Sequence, residues 1–260
     1  MCLIVFAYQT HKRYRLILAA NRDEFFDRPT AMLDWWKDQP EIIGGRDLQQ
    51  GGTWMAFSKK GRFAALTNVR NPASNKPNAR SRGDLIPSFL LSDYDPFHYL
   101  EMVKNKMEEY NGFNLLTGDL KQMFFISSTD QNIIKVQPGI HAISNHTMDT
   151  PWVKVEFVKQ KMRRHLKTKS DDPDLSDIEP DFYRMMQKKV IAPDEKLPNT
   201  GVGLELERGL SPVFVSMQGY GTRSTSVALW DFEGNLTFSE TTWSEKGTKQ
   251  DYRKIAAVTK

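Results

Sequence analysis

Leu3-Ile4-Val5-Phe6-Ala7-Tyr8 and Leu16-Ile17-Leu18-Ala19-Ala20 flank a short polar stretch, Gln9-Thr10-His11-Lys12-Arg13. Each apolar run is too short for a helix and lacks polar alternation, the pattern of a strand covered on both faces. Together they predict a β-hairpin inside a layered fold. A second hairpin is expected over residues 53–57 and 62–68, turning through Ser58-Lys59-Lys60-Gly61. Residues 71–80, rich in Pro, Asn and Lys, read as an exposed loop. Ser81 is placed to cap a helix ending near residue 91, and a second helix fits residues 96–110. Strand signals return over 113–117, 122–127, 133–137 and 141–144, spaced like a meander. Thr150-Pro151 starts a helix running to about residue 166, since a proline at the first helical position loses no needed donor. A weaker helix is expected near 177–188, a loop over 194–209, and closing strands over 213–217, 224–230 and 235–240. The order predicts two sheets packed face to face with helices outside, in one domain over residues 1–260.

The chain of 260 residues is long enough for a self-sufficient core, and its one cysteine excludes an intramolecular disulfide or a multi-cysteine metal site. No apolar run approaches the roughly 18 residues that would mark a membrane span. The start of the chain lacks a basic leader and a small-residue cleavage site, so a reducing, cytoplasmic location is expected. Thirty-six basic residues against 32 acidic ones leave a net charge of +4. Residues 159–169 hold six Lys or Arg, but residues 171–181 answer with six Asp or Glu. The blocks cancel, and no nucleic-acid partner is expected.

Familiar motifs are absent: there is no Walker loop, G-x-G-x-x-G, H-E-x-x-H or G-x-S-x-G. The five histidines lack metal-ligand spacing. Cys2 stands out by position. Aminopeptidases remove an initiator methionine ahead of a small side chain, which would leave a thiol and a free α-amine on one residue. That amine titrates near about 8 and could take the thiol proton without a histidine. If the hairpin closes near Tyr8 with Tyr14 or Arg15, Cys2 lies opposite Ala20 or Asn21, and the polar Asn21-Arg22-Asp23-Glu24 begins beside it. A guanidinium there favours the thiolate. Two further strands end in a carboxamide, at Asn68 and Asn145, and such an amide either donates to an oxyanion or simply terminates the strand.

These residues carry a resemblance. Met1-Cys2-Leu3-Ile4-Val5-Phe6, Asn21-Arg22-Asp23-Glu24-Phe25 with Arg28-Pro29, Gly44-Gly45-Arg46-Asp47 and Gly51-Gly52-Thr53-Trp54 resemble the NRDE family, that of the transport and Golgi organisation 2 proteins. Ala65-Leu66-Thr67-Asn68, Ser81-Arg82-Gly83, Ser144-Asn145 with Asp149-Thr150-Pro151-Trp152, and Tyr220-Gly221-Thr222-Arg223-Ser224 keep the same order. The family is similar in turn to N-terminal nucleophile (Ntn) hydrolases of the penicillin V acylase and bile salt hydrolase type. That likeness implies an α+β fold, a four-layer αββα sandwich of two mainly antiparallel sheets.

It also implies an amidohydrolase or acyltransferase acting on a linear amide or related acyl bond, a carbon-nitrogen bond other than a peptide bond. Cys2 would be the nucleophile, with Arg22 and Asp23 holding the thiol and amine. Asn68 and Asn145 would serve the oxyanion, and Arg223 would flank the nucleophile or bind a substrate carboxylate. Those hydrolases carry an aspartate three residues after the arginine, where this chain has Phe25, so Asp23 would have to substitute. Arg46 and Trp54 are candidates for the substrate pocket. The partner is then a small acyl or amide substrate, with no metal or organic cofactor needed. A rival is a non-catalytic protein on the same scaffold that binds haem or lipid.

Overall fold

The computed structural model describes residues 2–168 and 178–260. The first hairpin forms from β1 (Cys2–Tyr8) and β2 (Tyr14–Phe25). Every residue of β1 is buried, as a strand covered on both faces requires. Then come β3 (Thr30–Trp35), β4 (Ile42–Asp47), β5 (Met55–Ser58) and β6 (Arg62–Asn68). Helices α1 (Leu85–Leu91) and α2 (Pro96–Lys104) lead to the meander β7 (Phe113–Asp119), β8 (Met123–Ser127), β9 (Ile133–Lys135) and β10 (Gly139–Ile143). After α3 (Val153–Thr168), α4 (Glu179–Met186) and α5 (Leu204–Leu210), the chain closes with β11 (Ser216–Met217), β12 (Tyr220–Asp231), β13 (Asn235–Trp243) and β14 (Lys249–Val258).

The strands make two antiparallel sheets. One runs β10-β1-β2-β12-β13-β14, with β11 beside β12; the other runs β3 to β9 in chain order. Phe6, Leu18, Phe57, Phe63, Trp230 and Phe238 fill the space between the sheets. Leu3, Val5 and Ile17 face the opposite way, against Val158 and Met162 of α3 and Phe182 of α4. Ala64 and Leu115 meet Phe89 of α1 and Leu100 of α2 on the far side. Three apolar interiors separate four layers, the αββα sandwich of an α+β fold. Among the described residues no helix is long and apolar enough to cross a membrane.

Several expectations need correction. The hairpin pairs Tyr8 with Leu16, and Gln9 at φ +50° donates its N–H to the Arg15 carbonyl, so Cys2 lies opposite Arg22 rather than Ala20 or Asn21. Residues 21–25 continue β2 beyond its apolar run. Ser81 makes no side-chain cap; a 3-10 turn, Arg82–Asp84, precedes α1. The helix begun at Pro96 ends at Lys104, well short of residue 110. Part of the expected acidic loop, over 169–177, lies outside the described residues. Strands β3, β4 and β14 and helix α5 had not been expected, whereas only Ser216–Met217 pairs within the strand expected over 213–217.

Candidate active site

Alternation along β1 and β2 decides what Cys2 faces. Ile4 pairs with Ala20 and points between the sheets, so Cys2 and Arg22, two pairs further along, continue that face. Asn21 takes the helix side, donating from its amide to the Met186 and Val213 carbonyls at 2.8 Å each. At this end of the sandwich opens a cavity of about 420 Å³. Cys2, Arg22, Asp23 and Glu24 line it from the hairpin, Trp54, Leu66 and Asn68 from the other sheet, and Arg80 and Arg82 from the segment before α1.

Cys2 is 8% exposed. Burial pushes its thiol above the ordinary range and Asp23 adds to that, while Arg22 pulls the other way. The Arg22 guanidinium stacks 4.4 Å from the Trp54 ring and donates to Thr30 Oγ1 at 3.2 Å, with Glu24 at 3.8 Å. A Cβ on Gly45 would collide with the indole, which is why that position is glycine. Asp23 is 1% exposed; its Oδ1 accepts from Thr222 Oγ1 at 2.7 Å, and burial raises its carboxyl against the pull of Lys154.

Behind β2, on the helix side, lie charges the sequence did not suggest. Lys154 of α3 is buried and donates to the Leu210 carbonyl at 2.8 Å; burial pulls its ammonium down to about 8. Arg70 and Glu207 form a buried ion pair at 2.5 Å, and Glu207 also accepts from Thr200. Asn145 is fully buried and does not line the cavity. Its Nδ2 donates to the Asn68 carbonyl at 3.0 Å, and its own carbonyl accepts from the Arg70 N–H at 2.8 Å. It ties together the ends of β6 and β10.

The family model described as Transport and Golgi organisation 2 matches residues 1–245. The chain belongs to this family. Transport and Golgi organization protein 2 homolog of Bos taurus is 34% identical over 261 residues, covering 92% of each chain. The Homo sapiens homolog is also 34% identical, over 95% of this chain and 94% of its own. Among solved structures, a mutant conjugated bile acid hydrolase from Clostridium perfringens superposes with a TM-score of 0.53 at 11% identity. The match covers 98% of this chain and 92% of that one. This likeness shows the fold, the Ntn-hydrolase sandwich that the motifs implied.

Within this Transport and Golgi organisation 2 chain, Cys2, Arg22, Asp23, Asn68 and Trp54 converge on one cavity. Two other candidates do not. Arg46 turns away to pair with Asp38 at 2.5 Å and stack 4.2 Å from Trp36, because alternation along β4 sends it outward from the cavity. Arg223 sits at a bulge of β12 between Thr222 and Ser224, and its Nη1 donates to the Phe25 and Arg28 carbonyls. It fastens the turn after β2 and does not line the Cys2 cavity. Phe25, at the vacant aspartate position, is 57% exposed and meets the Tyr220 ring edge-on. Arg82, which lines the cavity, and Lys154, whose charge acts on Asp23 and Cys2 from the helix side, were missed. The Ser81-Arg82-Gly83 motif marked the first; nothing local marked the second. Among the described residues no cluster of His, Cys, Asp and Glu is arranged to hold a metal ion.

Proposed function

We propose that this protein hydrolyses or transfers an acyl group at a linear amide or related acyl bond, with Cys2 as nucleophile. The observation that carries the reading is the direct opposition of Cys2 and Arg22 in a cavity that Asn68 also lines. In a chain that has lost Met1, the α-amine of Cys2 takes the thiol proton directly or through a water. Sγ bonds the carbonyl carbon, and the C=O electron pair moves to oxygen, where the Asn68 amide donates. Collapse of this intermediate breaks the C–N bond, and the α-ammonium gives its proton to the departing nitrogen. Water repeats the sequence on the thioester, releasing the acid and restoring the thiol.

Arg22 steadies negative charge on sulfur, and Asp23 orients the amine. Asn145 acts as a positioning residue, through the Asn68 carbonyl it holds. Burial raises the thiol, and exposure of the α-amine on loss of Met1 is the activating event. Intact mass and the pH dependence of Cys2 alkylation test this. The expected result is loss of Met1 and rapid alkylation below the reference thiol value of about 8.5. Retained Met1 with a thiol that reacts only at higher pH overturns it.

The cavity that Trp54 and Leu66 line beside the buried Cys2 also favours a second reading, a carrier of haem or lipid on the same scaffold. An unreactive Cys2 together with a Soret shift on adding haem would decide for the carrier.

A further inference from the structure

The cavity around Cys2 holds four arginines, and their partners differ. Arg28 is paired with Asp47 at 2.6 Å, and Arg80 with Glu109 at 2.8 Å. Arg22 has Glu24 only at 3.8 Å. Arg82 has no carboxylate within ion-pair distance among the described residues; its guanidinium donates from Nη1 to the Gly112 carbonyl at 2.9 Å. That bond uses one of five N–H donors.

The segment that carries Arg82 is fixed from beneath. The Thr53 N–H donates to the Gly83 carbonyl at 3.2 Å, and Gly52 lies so close to Gly83 that a Cβ there would collide with the Gly83 backbone. Two motifs that the catalytic reading left idle, Gly51-Gly52-Thr53 and Ser81-Arg82-Gly83, thus dock on each other and hold this side chain at the cavity. Burial pulls the Arg82 guanidinium below its usual value, and negative charge at Glu24 or Cys2 opposes that pull. A desolvated guanidinium short of an acid is completed by a ligand that brings one.

We infer that Arg82 and Arg22, which both line the cavity, form an anion subsite, and that the acyl substrate carries a carboxylate or phosphate group next to the bond Cys2 attacks. The apolar wall of Trp54, Leu66 and Ala79 takes the uncharged remainder. The inference rests on the acyl-transfer reading for the reaction, but not for the anion itself.

The lone cysteine makes the test clean, because every alkylation event reports on Cys2. Iodoacetate and iodoacetamide present the same electrophile with and without a carboxylate. The ratio of their rates should exceed that for glutathione by about tenfold, the lower range for a hydrogen bond to a charged group. Arg82→Gln should remove most of that excess and Arg82→Lys part of it. Arg80→Gln, the same charge change at a side chain already paired, should leave the ratio within about twofold. An equal ratio in the wild type and Arg82→Gln overturns the subsite. Protection of Cys2 by inorganic phosphate but not acetate would assign the group as phosphate, and the reverse as carboxylate. Should Cys2 resist both reagents, the acyl-transfer reading falls. Titration calorimetry with decanoate against decanamide then decides the subsite: preference for decanoate upholds it, and equal affinity overturns it.

Discussion

The two sides of β2 hold similar charges and treat them differently. On the helix side Arg70 and Glu207 neutralise each other out of reach of water, and Lys154 is capped by a carbonyl. On the cavity side Arg22 and Arg82 border an open volume; Arg22 has Glu24 only at 3.8 Å, and Arg82 has no carboxylate within ion-pair distance among the described residues. Charges that meet their partners inside the protein fix its geometry, and charges left incomplete at an opening await a ligand.

Cys2→Ala probes the cavity side hardest. Hydrolysis of an activated acyl ester such as p-nitrophenyl butyrate should fall on the order of 10⁴-fold or more, the scale of losing a covalent nucleophile. The denaturant midpoint should barely move. Glu207→Ala probes the helix side, and removing the acid paired with buried Arg70 should cost about 3 to 5 kcal/mol in urea unfolding. Arg82→Gln should cost well under that; equal losses would erase the contrast between the two sides.

The next effect depends on pH. Burial pulls the Lys154 ammonium down to about 8 in the folded protein, from an ordinary lysine value of 10.5. Between those values the unfolded chain binds more protons, so stability rises with pH across that window and the gain is absent below it. The rise amounts to roughly 3 kcal/mol, and Lys154→Met should flatten it relative to the wild type. Smallest of all is Arg46→Gln, on the outer surface. Neither Cys2 alkylation nor the unfolding midpoint should shift measurably, since exposed pairs contribute little.

The hairpin and the meander were legible because a strand buried on both faces leaves an unbroken apolar run. β14 was not: it is the outer strand of its sheet, and Lys249-Gln250-Asp251-Tyr252-Arg253 is as polar as a loop. In β4, Gly44-Gly45 looks like a turn, yet both glycines serve close packing, against β5 and the Trp54 ring. The register missed because Gln9 extends the turn in a backbone conformation unusual for its type. Position marked Cys2, and the neighbouring strand marked Arg22 and Asp23. Whether Arg46 and Arg223 reach the cavity depends on alternation and a bulge, and Lys154 comes up behind the sheet from a helix. Such long-range placements have no local signature.

The indole of Trp54 is held between Gly45 and the Arg22 guanidinium, with no room to turn on the glycine side. A cation over an indole quenches and tunes its emission, so a molecule that draws Arg22 aside alters the light this side chain returns. Trp54 is one of six tryptophans, so the emission lost in Trp54→Phe is the part that would report occupancy without a label.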